Sequence, residues 1–430
     1  MREGELKNAW IQTRAARAAS LLGEALREVL ENKCPADLFL NRIFRGDRRI
    51  GGRDRRLYSN LIFAAFRWYG VIRQYSSEPA FLLAGAAAAE KIDLPETVIF
   101  LKQTGLDESS RDGIFMSETP VARLNAFLRL NGFSIDLTWR DCLPGWIYNH
   151  LDFEADETFL ALQQSRPPLW LRAQHKPVET VLDSLRQQGI TIMQHDRIET
   201  ALWTADRVNL QETDTYRQGR IEVQDLSSQC IGLVCAPQEG ECWWDACAGG
   251  GGKSLHIASL MNGKGTITAS DIRGRKLEEL RQRAKRAGFS NIRTREWDGV
   301  KLPVEEKSCD GVLVDAPCSS SGRWRRNPES RWLLTEKRVG ELTAIQRKIL
   351  DCASKAVKPG GVLIYATCSL LQDENRLNVE AFLTAHPGFT LEGFPHPLTR
   401  QTIPGQVQIL PQEENCDAAF IARFRKGKES

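Results

Sequence analysis

Two cysteines stand out by position. Cys318 follows Asp315-Ala316-Pro317 at the end of one apolar run, and Cys368 lies between Thr367 and Ser369 at the end of another. A free cysteine is by default a small hydrophobe. These two sit instead where a strand should open into a turn, beside a hydroxyl residue, and a thiolate so placed is a nucleophile suited to covalent catalysis. Asp315 adds a carboxylate to the same turn. A fourth chemical group, Lys253, follows a glycine run in Asp245-Ala246-Cys247-Ala248-Gly249-Gly250-Gly251-Gly252-Lys253-Ser254.

The elements that must position these groups read as a doubly wound α/β sheet. The apolar run ending at Asp245 is the first strand, the glycines are its turn, and residues 254–261 open a helix. Glycines let backbone approach a ligand closely, and a helix start offers unpaired N–H groups. The run is neither GxGxxG nor a P-loop, because Cys247 stands where the P-loop requires glycine. Residues 266–271 form a second strand ending in Asp271, placed to grip a ribose hydroxyl pair. A charged helix over 274–288 leads to a third strand, 291–295, and to the turn Trp297-Asp298-Gly299, where Asp298 could read an adenine amino group. Residues 310–315 and 361–367 are the fourth and fifth strands, with a helix over 342–357 between them. The alternation predicts a mainly parallel sheet, and ligands of such sheets bind outside the carboxyl ends of the strands. Both thiols and Asp315 would then face one crevice.

These residues resemble the Fmu/Sun/NSUN family of S-adenosylmethionine-dependent RNA cytosine carbon-5 methyltransferases. The matching pieces are DACAGGGGKS, the acidic strand ends Asp271 and Asp298, DAPCSSSG, RRNPESRW, YATCSLLQDEN and VQDLSSQ. The resemblance implies a Rossmann-like methyltransferase sheet over residues 237–430. It implies that Cys368 adds to carbon 6 of cytosine, activating carbon 5 toward the methyl group, and that Cys318 helps release the methylated base, directly or as a base. Asp315 would hydrogen-bond the cytosine edge and approach the cofactor. Lys253 would contact the base or raise the thiolate fraction of a nearby cysteine. The cofactor would rest on Cys247, Ala248, Gly249, Gly250, Gly251, Gly252 and Lys253, with Asp271, Asp298 and Asp315 around it. Two departures are visible: Gly250 replaces the family's proline, and Ala418 its glycine.

The chain has 430 residues, 58 Lys plus Arg against 55 Asp plus Glu, a balance that by itself decides nothing about nucleic acid. Clustering says more. Residues 1–136 read as all-helical and resemble, more loosely, the NusB-like RNA-binding domain. They carry Arg42, Arg45, Arg48, Arg49, Arg53, Arg55 and Arg56 in one stretch, a phosphate-binding surface. Residues 137–236 mix short helices and strands, as in a small α+β, ferredoxin-like RNA-binding unit on which Trp170 and Arg172 could face RNA. Arg323, Arg325, Arg326 and Arg331, with Trp324 and Trp332 between them, read as basic surface able to stack on bases.

The expected partner is RNA, ribosomal by resemblance, with transfer RNA as the alternative substrate and a catalytically idle RNA-binding relative as the alternative class. A dinucleotide oxidoreductase would not need thiols at two strand ends, and a DNA cytosine methyltransferase would lack the Thr-Cys-Ser turn. Cys230, Cys235, Cys242 and Cys247 lack a CxxC pair, so no metal is expected. No apolar run reaches membrane-spanning length, the start lacks the pattern of a signal peptide, and eleven cysteines suit a reducing cytoplasm. A monomer is expected.

Overall fold

The computed structural model describes residues 2–174, 177–206 and 208–428. Contacts divide the chain into two compact units: residues 1–149, 154–166 and 324–334, and residues 150–153, 167–323 and 335–430.

Regular structure in the first unit is helical among the described residues: α1 (Arg2–Leu30), α2 (Ala36–Gly46), α3 (Gly52–Ile72), α4 (Pro79–Ala89), α5 (Pro95–Gln103), α6 (Glu108–Phe115), α7 (Pro120–Leu130) and α8 (Glu157–Gln163). Starts of α6 and α7 are fixed by side-chain caps, Asp107 accepting from Ser110 N–H and Thr119 from Ala122 N–H. The alanine-rich α4 is apolar all round and buried from Leu82 to Ala89, as a helix surrounded by others must be. The small residues let its neighbours close in: a Cβ added at Gly85 would lie 3.0 Å from Ile72 and 3.1 Å from Phe127.

Residues 324–334 complete this unit, and here the expectation of an exposed basic and aromatic surface is overturned. Trp324 and Arg331 are fully buried and Arg325 nearly so. Arg331 donates to the carbonyls of Cys142, Gln163 and Trp324, and Arg325 to Ser165. The Trp332 ring lies where a Cβ on Gly70 would be 2.2 Å away, and its Nε1 donates to Phe66 O at 2.7 Å. Arginines can be buried when backbone carbonyls replace water around the guanidinium. Only Arg323, which falls in the second unit, is exposed as expected.

The second unit begins its sheets with β1 (Leu169–Ala173), α9 (Val178–Gln187), β2 (Met193–Gln194), β3 (Ala201–Thr204), α10 (Asp214–Arg217) and β4 (Ile221–Val223). All pairs are antiparallel in the order β2-β3-β1-β4, the split β-α-β-β-α-β arrangement of ferredoxin-like units. One face packs Leu171, Leu202 and Ile221 against Val181, Leu182 and Leu185 of α9. The other face does not present Trp170 and Arg172 to RNA, because both are buried. Trp170 joins the core formed with Ile231 and Val234, and Arg172 donates to Gln224 at 2.6 Å.

After α11 (Leu226–Cys235) come β5 (Cys242–Asp245), α12 (Gly252–Leu260), β6 (Thr266–Asp271), α13 (Gly274–Arg286), β7 (Ile292–Glu296), β8 (Cys309–Asp315), α14 (Glu336–Ser354), β9 (Val357–Thr367), α15 (Arg376–Ala385), β10 (Phe389–Leu391), β11 (Phe394–Pro395), β12 (Thr402–Ile403), β13 (Gln406–Ile409) and β14 (Ala419–Lys426). The central sheet runs β10-β14-β9-β8-β5-β6-β7, with β13 also on β14, while β11 and β12 form a separate ribbon. β5 through β9 pair in parallel and β14 returns antiparallel to β9. The sheet is the mainly parallel one its alternation predicts. No helix among the described residues is long and apolar enough to cross a membrane.

Candidate active site

Strand order reverses between β5 and β8, so the turns after these two strands open side by side, the usual place for a ligand in such sheets. The turn after β5 is the glycine run. Gly249 and Gly251 adopt φ of 53° and 85°, and a Cβ on Gly251 would lie 2.3 Å from Leu280, so this position tolerates only glycine. Ala248 N–H donates to Ser270 O and Gly249 N–H to Asp271 Oδ2 at 2.9 Å, lashing the turn to the end of β6. Gly250, the departure from the family's proline, has its carbonyl held by Arg283, which also pairs with the buried Glu222. Cys247 contributes backbone to this turn, and its own thiol is pushed up by burial, consistent with a packed rather than a reactive group.

Asp271 also accepts from Arg273 N–H and its guanidinium. Burial opposes ionisation of this carboxyl, but those donors and Gly249 outweigh it and hold it below the usual carboxylate range. Asp298 is exposed and accepts from Val300 N–H. Asp298 lines a cleft of about 510 Å3 together with Ile272, Arg295, Glu296, Trp297, Lys301, Leu302 and Pro303. Sequence reasoning missed the apolar partners of these acids. Ile272, which lines the cleft, is 69% exposed, and Val300, two residues after Asp298, is 77% exposed.

From the start of α12, Lys253 Nζ reaches Asp315 Oδ2 at the end of β8, 2.6 Å away. Burial works against the ammonium, but the Asp315 charge and hydrogen bond more than offset it and keep Lys253 above its ordinary value. The same lysine feels the Cys368 thiol.

Cys318 and Cys368 bring their sulfurs to 3.4 Å, across the gap between the turns after β8 and β9. Gly322 makes this approach possible. Its N–H donates to Cys368 O, and an added Cβ would lie 3.0 Å from that oxygen and 2.6 Å from Ala418 O. Ala418, the second departure, packs into this contact fully buried, its N–H donating to Gly322 O. The two thiols differ electrostatically. The hydrogen bond shared with Cys318 and the Arg323 guanidinium hold Cys368 below the ordinary thiol range against the opposing effect of burial. Cys318 is pushed well up, first by that same hydrogen bond and then by burial. Of the two, Cys368 is the thiol more readily ionised.

Sequence reasoning also missed Glu374, two residues before α15 and beneath both turns: it is fully buried and accepts from Ser319 N–H, Ser319 Oγ, Ser369 Oγ and Gln346 Nε2. Its only signal in the sequence was membership in the YATCSLLQDEN run. Among the described residues no group of His, Cys, Asp and Glu could hold a metal, and Cys230 and Cys235 are core thiols.

Residues 232–425 match the model of the 16S rRNA methyltransferase RsmB/F family. Over 305 residues the chain is 32% identical to ribosomal RNA small subunit methyltransferase B of Pasteurella multocida (strain Pm70), covering 68% of this chain and 67% of that protein. The chain belongs to the RsmB/F methyltransferase family. A second RsmB/F relative, ribosomal RNA small subunit methyltransferase B of Salmonella typhi, is 33% identical over 291 residues, 66% of each chain. The match thus spans about two thirds of these relatives' length. Among solved structures, PH0851 superposes with a TM-score of 0.77 at 25% identity, covering 96% of this chain and 98% of that one. NSun6 from Pyrococcus horikoshii gives 0.56 at 20% identity over 66% and 97%, a likeness of fold. The Rossmann-like methyltransferase sheet expected of the sequence is the one observed.

Proposed function

We propose that this RsmB/F-family chain is an S-adenosylmethionine-dependent methyltransferase acting on carbon 5 of a cytosine in ribosomal RNA. The observation that carries the reading is the meeting of two differently poised thiols, 3.4 Å apart, beside the Lys253–Asp315 pair. The site fits the cofactor: a glycine turn with free approach, a carboxylate at Asp271 for a ribose, and a cleft with Asp298 and the exposed Ile272 for a base. The NSun6 structure was solved with SFG, an analogue of that cofactor. When bound, the cofactor supplies an electrophilic methyl group.

The chain's own residues supply the rest. Cys368, as thiolate, adds to carbon 6 of cytosine, and the electron pair moves through the ring so that carbon 5 becomes nucleophilic. Asp315, held in place by Lys253, hydrogen-bonds the cytosine edge and supports protonation at the ring nitrogen. After methylation the proton on carbon 5 must leave before the Cys368–carbon 6 bond can break. Cys318, at the same spot, assists that release as a base once its own proton has passed to solvent: its sulfur takes the carbon-5 proton, the C5–H electron pair re-forms the carbon 5–carbon 6 double bond, and Cys368 leaves as a thiolate. On the helical unit, the seven arginines between Arg42 and Arg56 are all exposed, a surface for RNA phosphates.

The test is to incubate the purified protein with labelled S-adenosylmethionine and either small-subunit ribosomal RNA or transfer RNA, then map 5-methylcytosine by bisulfite sequencing. Label confined to one cytosine of the ribosomal RNA supports the proposal. Label in transfer RNA alone moves the substrate, and no label in either removes the activity.

A further inference from the structure

The turn carrying Cys318 and the turn carrying Cys368 are joined beneath the site by one buried carboxylate. Glu374 Oε1 accepts from Ser319 N–H at 2.8 Å and from Gln346 Nε2 at 2.9 Å; Oε2 accepts from Ser319 Oγ and Ser369 Oγ, each at 2.5 Å. Ser319 directly follows one thiol and Ser369 the other. Gln346 also donates to Pro317 O, so the residue before Cys318 is tied to the same anchor. A fully buried carboxylate is costly unless its acceptor capacity is used, and four donors use it. A neutral hydroxyl or amide network could have joined the turns without that cost, so the charge itself calls for a use.

We propose that Glu374 is a positioning residue that assigns the two thiols their separate parts, its buried anion backing Cys318 while the Arg323 guanidinium backs Cys368. The inference rests on the methyltransferase reading and deepens it, because an enzyme with two thiols in contact must decide which one attacks. The groups facing the pair agree. Cys318 meets Cys368 and the negative field of Glu374, whereas Cys368 meets Cys318, Ser320 Oγ, Arg323, Lys253 and the less favourable Asp315. Tyr365, whose hydroxyl donates to Glu374 O, is pushed far up by burial and stays neutral. An anion behind one thiol and a cation before the other favour the same single arrangement of one proton shared between two sulfurs.

The experiment reads thiol reactivity in the full-length protein without RNA or cofactor. Initial rates of iodoacetamide alkylation at Cys318, Cys368 and the exposed Cys242 are followed by peptide mass spectrometry for wild type, Glu374→Gln and Arg323→Ala. Glutamine preserves shape: its oxygen can keep Ser319 N–H and Gln346, while its amide donates to the two serine hydroxyls, which rotate to accept. In wild type Cys368 should react at least tenfold faster than Cys318. In Glu374→Gln that ratio should fall by about tenfold, through a faster Cys318, with Cys242 unchanged as the reference. A role confined to holding the turns would speed both site thiols together and leave their ratio alone, and that result overturns the proposal. If Glu374→Gln does not fold, Arg323→Ala, altered at a half-exposed side chain, carries the test: a several-fold slower Cys368 supports the charge assignment, and an unchanged ratio overturns it. Since no RNA is present, these outcomes stand whether or not the chain methylates RNA. Failure of methylation with the reactivity ratio intact would sink the enzymatic reading instead.

Discussion

Lys253 Nζ and Asp315 Oδ2, 2.6 Å apart, tie the helix that follows the glycine turn to the end of the strand whose turn carries Cys318, so the two turns are registered by one ion pair. The pair is mostly sheltered, with the lysine 15% and the carboxylate 28% exposed. Removing one partner leaves the other desolvated and uncompensated. Lys253→Met should therefore lower the single-turnover rate of methyl transfer by about a hundredfold or more, the scale of a lost acid–base or orienting group. An unchanged rate would make the pair a structural tie alone.

The thiols should part company under substitution. Cys368→Ala should abolish methylation and leave no protein–RNA complex on a denaturing gel. Cys318→Ala should still attack and methylate, then remain attached to RNA through Cys368, giving a slow-migrating band. The reverse pattern would exchange the two roles, and methylation persisting in both variants with no band would reduce the thiols to packing.

Asp271→Ala should weaken S-adenosylmethionine binding about ten- to a hundredfold, one or two charge-assisted hydrogen bonds' worth. The loss has two sources, because this carboxylate also holds Gly249 N–H and Arg273. Titration calorimetry reads it, and an affinity equal to wild type removes Asp271 from the site.

On the helical unit, Arg45→Glu, Arg48→Glu, Arg53→Glu and Arg56→Glu together should weaken RNA binding and shrink its salt dependence. Each lost phosphate contact takes about 0.7 from the slope of log affinity against log salt for single strands, hence up to about 3 for four. Cofactor affinity should not move. A slope that stays put would assign the arginine surface to another partner.

Stability should carry the signature of Asp245. This carboxyl is fully buried at the end of β5, accepts from Ser254 Oγ at 2.6 Å, and is pushed up by burial to about 7 from an ordinary 3.8. A folded-state value above the unfolded one means that the native protein holds its proton more tightly. The benefit is complete below about 3.8 and disappears as pH rises through about 7. Relative to Asp245→Asn, wild type should lose as much as about 4 kcal/mol between pH 4 and 8, measured by urea unfolding, an order-of-magnitude figure. Parallel pH profiles for the two proteins would contradict it.

Much of the catalytic sheet was legible because alternating strands and helices leave a periodic trace, and because thiols beside hydroxyls at strand ends are rare. Asp271 and Asp315 end β6 and β8, and the two thiols follow β8 and β9, as that trace predicts. The arginines of residues 324–334 were misread for a definite physical cause. What buries Arg331 is the set of carbonyls at Cys142, Gln163 and Trp324, and backbone acceptors have no sequence signature. Arg172 was misread because its acceptor, the Gln224 side-chain oxygen, lies 52 residues away in the sequence. Glu374 was invisible because a glutamate ahead of a helix ordinarily faces water, and only the folded turns reveal four donors converging on it. Ile272 and Val300 were missed because exposure of a hydrophobe is a property of the surface, not of the residue.

The ten or so residues around Trp332 that finish the helical unit lie far downstream of its last helix, α8, which ends at Gln163. A ribosome making this chain must therefore translate from residue 166 to residue 334, roughly 10 to 30 seconds of elongation, before that unit can seal its core. Until then Gly70 faces no indole and Phe66 O has no donor from it. The part of the protein synthesised first is thus the part that cannot finish folding first, and a truncation after residue 166 would yield helices with an unfilled slot rather than a free-standing domain.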